Sequence, residues 1–236
     1  MLTVTQSVSA PAVDFGGAVP YGVVSETRNL PPATVWLIRH GETEWSISGQ
    51  HSGRTDLPLT AKGEDEAREA RELLAGRSFD VVLCSPLRRA RRTCQLAGYL
   101  DVADIEPDCQ EWDYGDWTGY TQDQIREKSP DWTIWTGPVP GGESLEDIAS
   151  RAKRVVNRIR NGGGTAAIFA HGHFLRVFTT QWLGLPAATG GNFALETSGI
   201  CILGEDAGLP AIRAWNLRRS LTSPVAAGVL AGTGRA

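Results

Sequence analysis

The chain contains 236 residues, of which 41% are hydrophobic and 21% are charged, and these proportions are ordinary for a globular protein. The formal net charge of −4 argues against nucleic acid or an anionic membrane surface as the main partner. No apolar stretch approaches the roughly 20 residues that span a bilayer, and no signal-peptide pattern opens the sequence. The four cysteines lack C-x-x-C spacing, which indicates reduced, mostly buried thiols and a cytoplasmic location.

Hydrophobic periodicity and turn residues predict alternating strands and helices along the chain. In chain order, these are a strand at 35–38, a loop-rich segment at 42–59, a helix at 61–75, a strand at 80–84, a helix from 86 to about 97, an irregular segment at 101–142 with one short helix, a helix at 144–159, a strand at 165–170, a helix at 173–183, and strands at 198–203 and 211–215. This alternation predicts an α/β fold with a mostly parallel sheet that is covered by helices on both faces.

Polar residues at the predicted helix starts support several of these boundaries. Thr60 is the expected N-cap of the first long helix, and Thr121 begins a capping box. Ser85 is the expected cap of the next long helix, with Pro86 at its first position. The periodic pattern predicts one domain over residues 33–217, between an N-terminal extension (1–32) and a C-terminal tail (218–236).

Two of the predicted strands end in histidine followed by glycine. The first strand runs into Arg39, His40 and Gly41, and the strand at 165–170 runs into His171. Open α/β sheets bind ligands at the carboxyl ends of their strands. We therefore expect two imidazoles to face one another across a crevice, with Gly41 letting a small anion approach the backbone.

Four arginines in five positions follow the strand at 80–84, as Arg88, Arg89, Arg91 and Arg92. A helix cannot direct all four side chains one way, so two or three of them are expected to form a solvated basic face. The first helical turn nevertheless follows a strand end, where free N–H groups and the helix dipole attract anions. An arginine at that position adds bidentate donors for phosphate.

Two arginines and two histidines directed at one point would bind a tetrahedral dianion and allow a neutral imidazole to attack phosphorus. The alkoxide that leaves needs a proton, and Glu111 in the irregular segment is the chosen donor. A zinc site that includes His171 and His173 is the competing interpretation, although no adjacent carboxylate completes it. The tryptophans near Glu111 are expected to form a satellite core, a wall over the crevice, or both.

The chain resembles the histidine phosphatase superfamily, in its phosphoglycerate-mutase-like branch. Four motifs carry the resemblance over residues 34–216, in the family's order: Arg39-His40-Gly41-Glu42, Ser85-Pro86-Leu87-x-Arg89-Ala90, Glu111-x-x-Tyr114-Gly115 and His171-Gly172. The resemblance implies a three-layer α/β/α fold, no cofactor and no metal. It also implies that His40 is phosphorylated, that Arg39, Arg89 and His171 bind the phosphoryl group, and that Glu111 is the proton donor.

Several positions differ from the true mutases of that branch. Ser46 follows Trp45 where mutases have asparagine, Gln122 replaces a lysine, and His173 replaces the asparagine of His-Gly-Asn. The sequence is instead similar to the acid-phosphatase and sedoheptulose-bisphosphatase-like members. That similarity adds candidate substrate contacts: Ser46, Ser52, Tyr114 and His173.

The expected function is hydrolysis of small phosphomonoesters through a phosphohistidine. The alternatives are a cofactor-dependent phosphoglycerate mutase and a non-catalytic binder of phosphorylated ligands. The expected partner is a small phosphorylated substrate, with neither nucleic acid nor a membrane. The sequence leaves the substrate and the oligomeric state, including a homo-oligomer, undetermined.

Overall fold

A six-stranded sheet forms the centre of the computed structural model, which describes residues 33–74 and 76–219. Its strands are β1 (Thr34–Arg39), β2 (Val81–Cys84), β3 (Asp104–Ile105), β4 (Thr165–Ala170), β5 (Ile200–Asp206) and β6 (Leu209–Leu217). The order across the sheet is β3-β2-β4-β1-β5-β6. The first four strands in that order pair in parallel, whereas β5 and β6 are antiparallel additions at one edge. The prediction of a mostly parallel sheet is confirmed.

Six α-helices occur within the described ranges: α1 (Glu44–Ser48), α2 (Ala61–Leu74), α3 (Arg88–Ala97), α4 (Gln122–Lys128), α5 (Leu145–Gly162) and α6 (Gly172–Leu183). The predicted capping box at Thr121 is present at the start of α4. Thr60 also caps α2 as expected, because its hydroxyl accepts from the Gly63 N–H at 3.0 Å. None of the described helices combines the length and apolar composition needed to cross a bilayer.

Alternation along the strands divides the core into two layers. Trp36 and Ile38 of β1 pack with buried residues of α2 and α3, such as Ala70. Val35 and Leu37 of the same strand pack on the other side, with residues of α5 and α6. Successive strand residues point to opposite faces, so each apolar strand contributes to both layers. The result is the predicted three-layer α/β/α arrangement, and it leaves the carboxyl ends of the parallel strands open for a site.

Several predicted elements differ from the structure, and β3 lies in the segment that the sequence predicts to be irregular. Helix α3 begins at Arg88 with Leu87 as its N-cap, so Ser85 lies two residues before the capping position. Its hydroxyl contacts the His171 ring at 2.7 Å and accepts from the Leu87 N–H at 3.4 Å. Residues 42–59 are not all loop, since Thr43 and Ser46 form a capping box that starts α1. Strand β5 begins two residues later than predicted, because Ser198 has a φ of +52°, outside the extended region.

The predicted extension (1–32), the expected helix end at Ala75, and residues 220–236 of the predicted tail lie outside the described residues. The proposed domain boundaries therefore stay predictions. The four cysteines, Cys84, Cys94, Cys109 and Cys201, are buried free thiols, as the sequence predicts.

Two glycines bring β1 against the start of α2. A Cβ atom at Gly41 would lie 2.2 Å from the Gly63 carbonyl oxygen, and one at Gly63 would lie 2.1 Å from the Glu42 carbonyl oxygen. The expectation that Gly41 makes room for an anion is therefore wrong. This glycine is needed because two backbone segments touch there, and the contact fixes the position of His40 relative to α2.

Gly63→Ala is expected to lower the free energy of unfolding by about 1–3 kcal/mol or more, because the added methyl group overlaps backbone that cannot rotate away. Gly162→Ala is the matched control, since a Cβ atom at Gly162 has nothing within 4 Å and alanine favours a helix. Urea denaturation of both variants measures the difference. Equal stability of the two variants would contradict the proposed close contact.

Candidate active site

Two histidines lie together where β1 and β4 end. Arg39, the last residue of β1, is opposite Ala170, the last residue of β4, in the parallel register. His40 and His171 follow these residues, and their ring centroids are 5.2 Å apart. Both rings are buried, with exposed fractions of 5% and 0%. The structure thus brings together the two imidazoles that the strand ends predict.

The His40 ring is held in one tautomer. Its Nδ1 lies 2.7 Å from the Gly41 carbonyl oxygen, and only a protonated nitrogen can donate to that acceptor. Nε2 therefore has a free lone pair, which accepts from Arg89 Nε at 3.2 Å. Burial, followed by the charges of Arg89 and Arg39, lowers the pKa of His40 well below its usual value. A neutral imidazole with an available lone pair is a nucleophile.

Arg89 is the only one of the four clustered arginines with a fully buried side chain. It donates to the carbonyl oxygens of Gly53 and Thr55, each at 2.7 Å, so the loop before α2 fixes its orientation. Arg88 and Arg91 are exposed, and Arg92 pairs with Glu64 at 2.7 Å. These three line a separate cavity of about 270 Å³ that contains no histidine. The basic-face interpretation therefore applies to three arginines, and Arg89 alone of the four lies beside His40.

Arg39 and His171 complete a group of four side chains, here called the cationic cup: Arg39, His40, Arg89 and His171. Arg39 Nη1 donates to the Leu195 carbonyl oxygen at 2.5 Å, and the side chain lies against Gly172. His171 Nε2 lies 2.7 Å from Ser85 Oγ. Arg39 Nε and His171 Nδ1 are buried without a hydrogen-bond partner among the described residues. Buried polar atoms normally have partners, so these two nitrogens are candidates for binding phosphoryl oxygens.

Glu111 closes the cup from the irregular segment and is bound to the start of α6. Its Oε1 accepts from the backbone N–H groups of Trp112 and Phe174, both at 2.9 Å. Its Oε2 accepts only from the His173 N–H, at 3.2 Å. The carboxyl group thus accepts hydrogen bonds from two of the N–H groups that have no partner within a helix at its N-terminus. Oε2 has fewer partners than Oε1 among the described residues.

A buried ion pair positions the segment that contains Glu111. Arg151 on α5 pairs with Glu143 at 2.8 Å, and its Nη1 donates to the carbonyl oxygens of Asp108 and Gln110. The Glu143 carboxylate accepts from the Asp113 N–H at 2.9 Å. Backbone groups on both sides of Glu111 are therefore bound by one pair of side chains. This pair holds the irregular segment against α5 without regular secondary structure.

Aromatic side chains form one wall of the site. Tyr114 Oη lies 2.5 Å from His173 Nδ1, and the His51 ring lies 4.6 Å from the Tyr114 ring. The Trp135 and His173 rings are 5.3 Å apart. Trp112 is fully buried in the core, whereas Trp45 lines the cavity. The wall interpretation holds for Trp45. The satellite-core interpretation is wrong, because Trp112 and Trp132 belong to the same core cluster as Val35 and Leu37 of β1.

A cavity of about 200 Å³, here called the site cavity, opens onto these groups. Eight of the nine predicted site residues line it: Arg39, His40, Ser46, Ser52, Arg89, Glu111, Tyr114 and His173. The ninth, His171, lies behind His40. The Ser46 hydroxyl is already engaged in the capping box of α1, where it donates to the Thr43 carbonyl oxygen at 2.8 Å.

Sequence reasoning missed three polar residues that also line the site cavity, Gln50, His51 and Arg176. Arg176 follows His173 by three positions on α6, which places both on one helix face. That spacing is a signal from which Arg176 could have been found. His51 lies in a loop and shows no comparable pattern. Within the described ranges, no three histidine, cysteine, aspartate or glutamate side chains cluster as metal ligands.

Comparison with known proteins identifies the family. A model described as "Histidine phosphatase superfamily (branch 1)" matches residues 35–218. The chain belongs to the histidine phosphatase superfamily. An acid phosphatase of Mycobacterium tuberculosis is 40% identical over 81% of this chain and 96% of its own. A sedoheptulose 1,7-bisphosphatase of Saccharomyces cerevisiae is 35% identical over 66% of this chain and 69% of its own.

A solved structure supports the same assignment. The product of an open reading frame from Mycobacterium tuberculosis superposes with a TM-score of 0.76 at 38% identity, and the match covers 81% of this chain and 99% of that protein. The four motifs that carry the sequence resemblance lie within the region that matches the family model. Family membership and the α/β/α fold are therefore consistent across sequence and structure.

The buried histidines are expected to make stability depend on pH. Burial lowers the pKa of His51 to about 4, whereas an unfolded histidine titrates near 6.5. The unfolded state therefore binds more protons between these values, so stability is complete above pH 6.5 and falls as the pH approaches 4. The loss attributable to His51 is about 3 kcal/mol.

Urea denaturation between pH 7.5 and pH 4.5 measures this effect. The slope of stability against pH measures how many more protons the unfolded state binds than the folded state. His51→Asn should reduce that number by about one, while the remaining histidines continue to contribute. Identical slopes for the variant and the unsubstituted protein would contradict the buried, neutral state of His51.

Proposed function

We propose that this protein hydrolyses small phosphomonoesters through a phosphohistidine formed on His40. The observation that supports this most directly is the state of the His40 ring. Its Nδ1 is bound to the Gly41 carbonyl oxygen, and its Nε2 lies beside Arg89. A neutral nucleophile thus sits among three cationic or hydrogen-bonding side chains that can hold the oxygens of one phosphoryl group.

In the first step, the phosphoryl group of the substrate enters the cationic cup. Arg39, Arg89 and His171 bind its oxygens, and Arg89 Nε shifts from His40 Nε2 to an oxygen. His40 Nε2 then attacks phosphorus, the bond from phosphorus to the leaving oxygen breaks, and Glu111 gives its proton to that oxygen. The products of this step are the dephosphorylated alcohol, phosphohistidine and the Glu111 carboxylate.

In the second step, water replaces the alcohol. The Glu111 carboxylate accepts a proton from that water as its oxygen attacks phosphorus, and the nitrogen–phosphorus bond breaks. His40 recovers its lone pair, Glu111 recovers its proton, and inorganic phosphate leaves. The cycle uses groups of this chain alone, so we propose that activity towards an aryl phosphate is insensitive to chelators.

The low pKa of His40 has a consequence for the pH profile of this reaction. The attacking imidazole must be unprotonated, and burial, followed by Arg89 and Arg39, lowers its pKa well below the usual value. His40 therefore stays neutral in mildly acidic solution. This supports a phosphatase that works at acid pH, in keeping with the acid phosphatase among its relatives.

A phosphoglycerate mutase is the main alternative on this fold. An enolase-coupled assay with 3-phosphoglycerate, with and without 2,3-bisphosphoglycerate, distinguishes it from a phosphatase that releases inorganic phosphate. We expect phosphate release and no bisphosphoglycerate-dependent formation of 2-phosphoglycerate. Efficient interconversion with little phosphate release would overturn the proposal. A protein that binds orthophosphate and vanadate without turnover of any phosphomonoester would be the non-catalytic binder.

A further inference from the structure

A second cavity, of about 270 Å³, lies on the exposed face of α3 and shares no lining residue with the site cavity. It is here called the outer cavity. Its charged lining residues are Arg88, Arg91 and Arg92 of α3 and Glu64 of α2, so three positive charges face one negative charge. The proposed reaction uses none of these residues.

Two of the three arginines have no partner for their charge. Arg91 and Arg92 follow Arg88 by three and four positions, so helix geometry places the three side chains next to one another. Arg88 and Arg91 are exposed, and within the described ranges their side chains make no hydrogen bond or ion pair. Like charges at this spacing repel each other, and an anion bound between them would relieve that repulsion.

The third arginine is held in place, and its neutralisation is incomplete. The Glu64 carboxylate accepts from Arg92 Nε at 2.7 Å and from Arg68 Nη2 at 2.9 Å, so two arginines share one negative charge. Arg92 Nη1 also donates to Gln95 Oε1 at 3.0 Å. These contacts orient the Arg92 guanidinium group at the cavity wall before any ligand arrives, which lowers the entropic cost of binding.

The arginine side chains, and not the end of the helix, are the binding groups. The Arg88 N–H at the start of α3 donates to Asp56 Oδ1 at 2.7 Å, so a carboxylate of the chain already occupies the helix start. Guanidinium groups bind phosphate through paired hydrogen bonds. Beside them, Pro58, Leu59 and Leu100 add apolar surface to the lining.

We propose that the outer cavity binds a small ligand that carries a phosphate or diphosphate group and an apolar ring. The phosphate oxygens accept hydrogen bonds from the three arginines, and the ring packs on the apolar part of the lining. Three positive charges and one negative charge leave the lining with an excess of positive charge, which suits a dianion. Binding here does not depend on the proposed phosphatase activity, because the two cavities have no residue in common.

Calorimetric titration with α,β-methylene-ADP tests this site, because the P–C–P bridge of this nucleotide resists hydrolysis. The unsubstituted protein should bind it at the outer cavity in addition to any binding in the cationic cup. In a double variant, Arg88→Met with Arg91→Met, the affinity of the outer cavity should fall about 10- to 100-fold, because two charged donors are lost.

The inhibition constant of α,β-methylene-ADP against phenyl phosphate hydrolysis measures binding in the cationic cup separately. Neither substituted arginine lines the site cavity. The double variant should therefore keep this constant, and kcat/KM for phenyl phosphate, within about 3-fold of the original values. A calorimetric isotherm that is the same in the double variant and the unsubstituted protein would overturn the outer site.

Arg154→Met with Arg158→Met is the matched control. These two arginines lie four positions apart on α5, pair with Asp108 and Asp104, and do not line the outer cavity. Their substitution removes the same net charge and should change the affinity for α,β-methylene-ADP less than about 3-fold. Equal losses in the two double variants would reveal only a general effect of net charge and would overturn the site.

Methylenediphosphonate, which lacks the nucleoside, tests the apolar part of the ligand. It should bind in the outer cavity about 5-fold or more weakly than α,β-methylene-ADP, because it buries no ring against the apolar lining. Equal affinities would overturn the ring contact. Binding of α,β-methylene-ADP in the cationic cup alone would overturn the whole proposal.

Discussion

His40→Ala is expected to reduce turnover of phenyl phosphate by about 10⁴-fold or more, because no other group can supply the attacking atom. The attacking atom is Nε2 of this ring, whose lone pair accepts a hydrogen bond from Arg89 Nε. The variant should also fail to become labelled when it is mixed with a radiolabelled substrate and quenched in alkali, which preserves phosphohistidine. The unsubstituted protein should retain label under the same conditions.

Binding of orthophosphate distinguishes lost chemistry from lost structure. Arg39, Arg89 and His171 remain in the His40→Ala variant, so its affinity for orthophosphate should stay within about 10-fold of the original. His40→Asn is a second variant, because its amide can still donate to the Gly41 carbonyl oxygen. Substantial turnover by either variant would remove His40 from its proposed role.

Glu111→Gln is expected to slow hydrolysis of an alkyl phosphate by about 10²- to 10³-fold, because an amide cannot protonate the alkoxide that leaves. The loss should be much smaller for p-nitrophenyl phosphate, whose leaving group needs no proton. Single-turnover rates with the two substrates measure this difference. Glutamine retains an acceptor oxygen for the N–H groups of Trp112 and Phe174, so the start of α6 keeps part of its support.

Glu143→Gln is the control for this substitution. Glu143 supports the same segment through Arg151 and the Asp113 N–H, but it does not line the site cavity. Removing its charge should lower the free energy of unfolding by about 3 kcal/mol, as expected when a buried ion pair loses one partner. The substitution should change the hydrolysis rates of both substrates by the same factor. A Glu111→Gln variant with equal losses on the two substrates would show that Glu111 has only a structural role.

All strands except β3, and most helices, could be predicted because local patterns determine them; β3 is only two residues long and lies in the segment predicted to be irregular. The run before Arg39 is apolar and β-branched, and Ser144 caps α5 through a capping box, so these elements need little information from distant parts of the chain. The grouping of His40 with His171 was also predictable, since parallel strands bring their carboxyl ends to one edge. Family resemblance then identified Arg89 among four similar arginines.

The remaining features depend on contacts between distant residues. Ser85 lies before a helix in a pattern that favours capping, yet His171, 86 positions away, uses its hydroxyl. The sequence suggests that Gly41 makes room for a ligand, but in the structure the backbone of Gly63 packs against it. Arg176 becomes a candidate ligand-binding residue only when Trp135 and Gly190 surround it. No local pattern in the sequence records the contacts of Ser85 or Gly41, and for Arg176 the spacing from His173 indicates only a shared helix face.

Glu111 is hydrogen-bonded to the first turn of α6. This attachment links two side chains that the proposed reaction needs at a fixed distance from each other. The same turn follows His171, so a displacement of the helix would carry Glu111 and His171 together. Residues 45–46 and 49–52, which form part of the cavity rim, lie outside that unit. A change in these rim residues can therefore alter which substrates fit the cavity while the position of Glu111 relative to His171 is preserved.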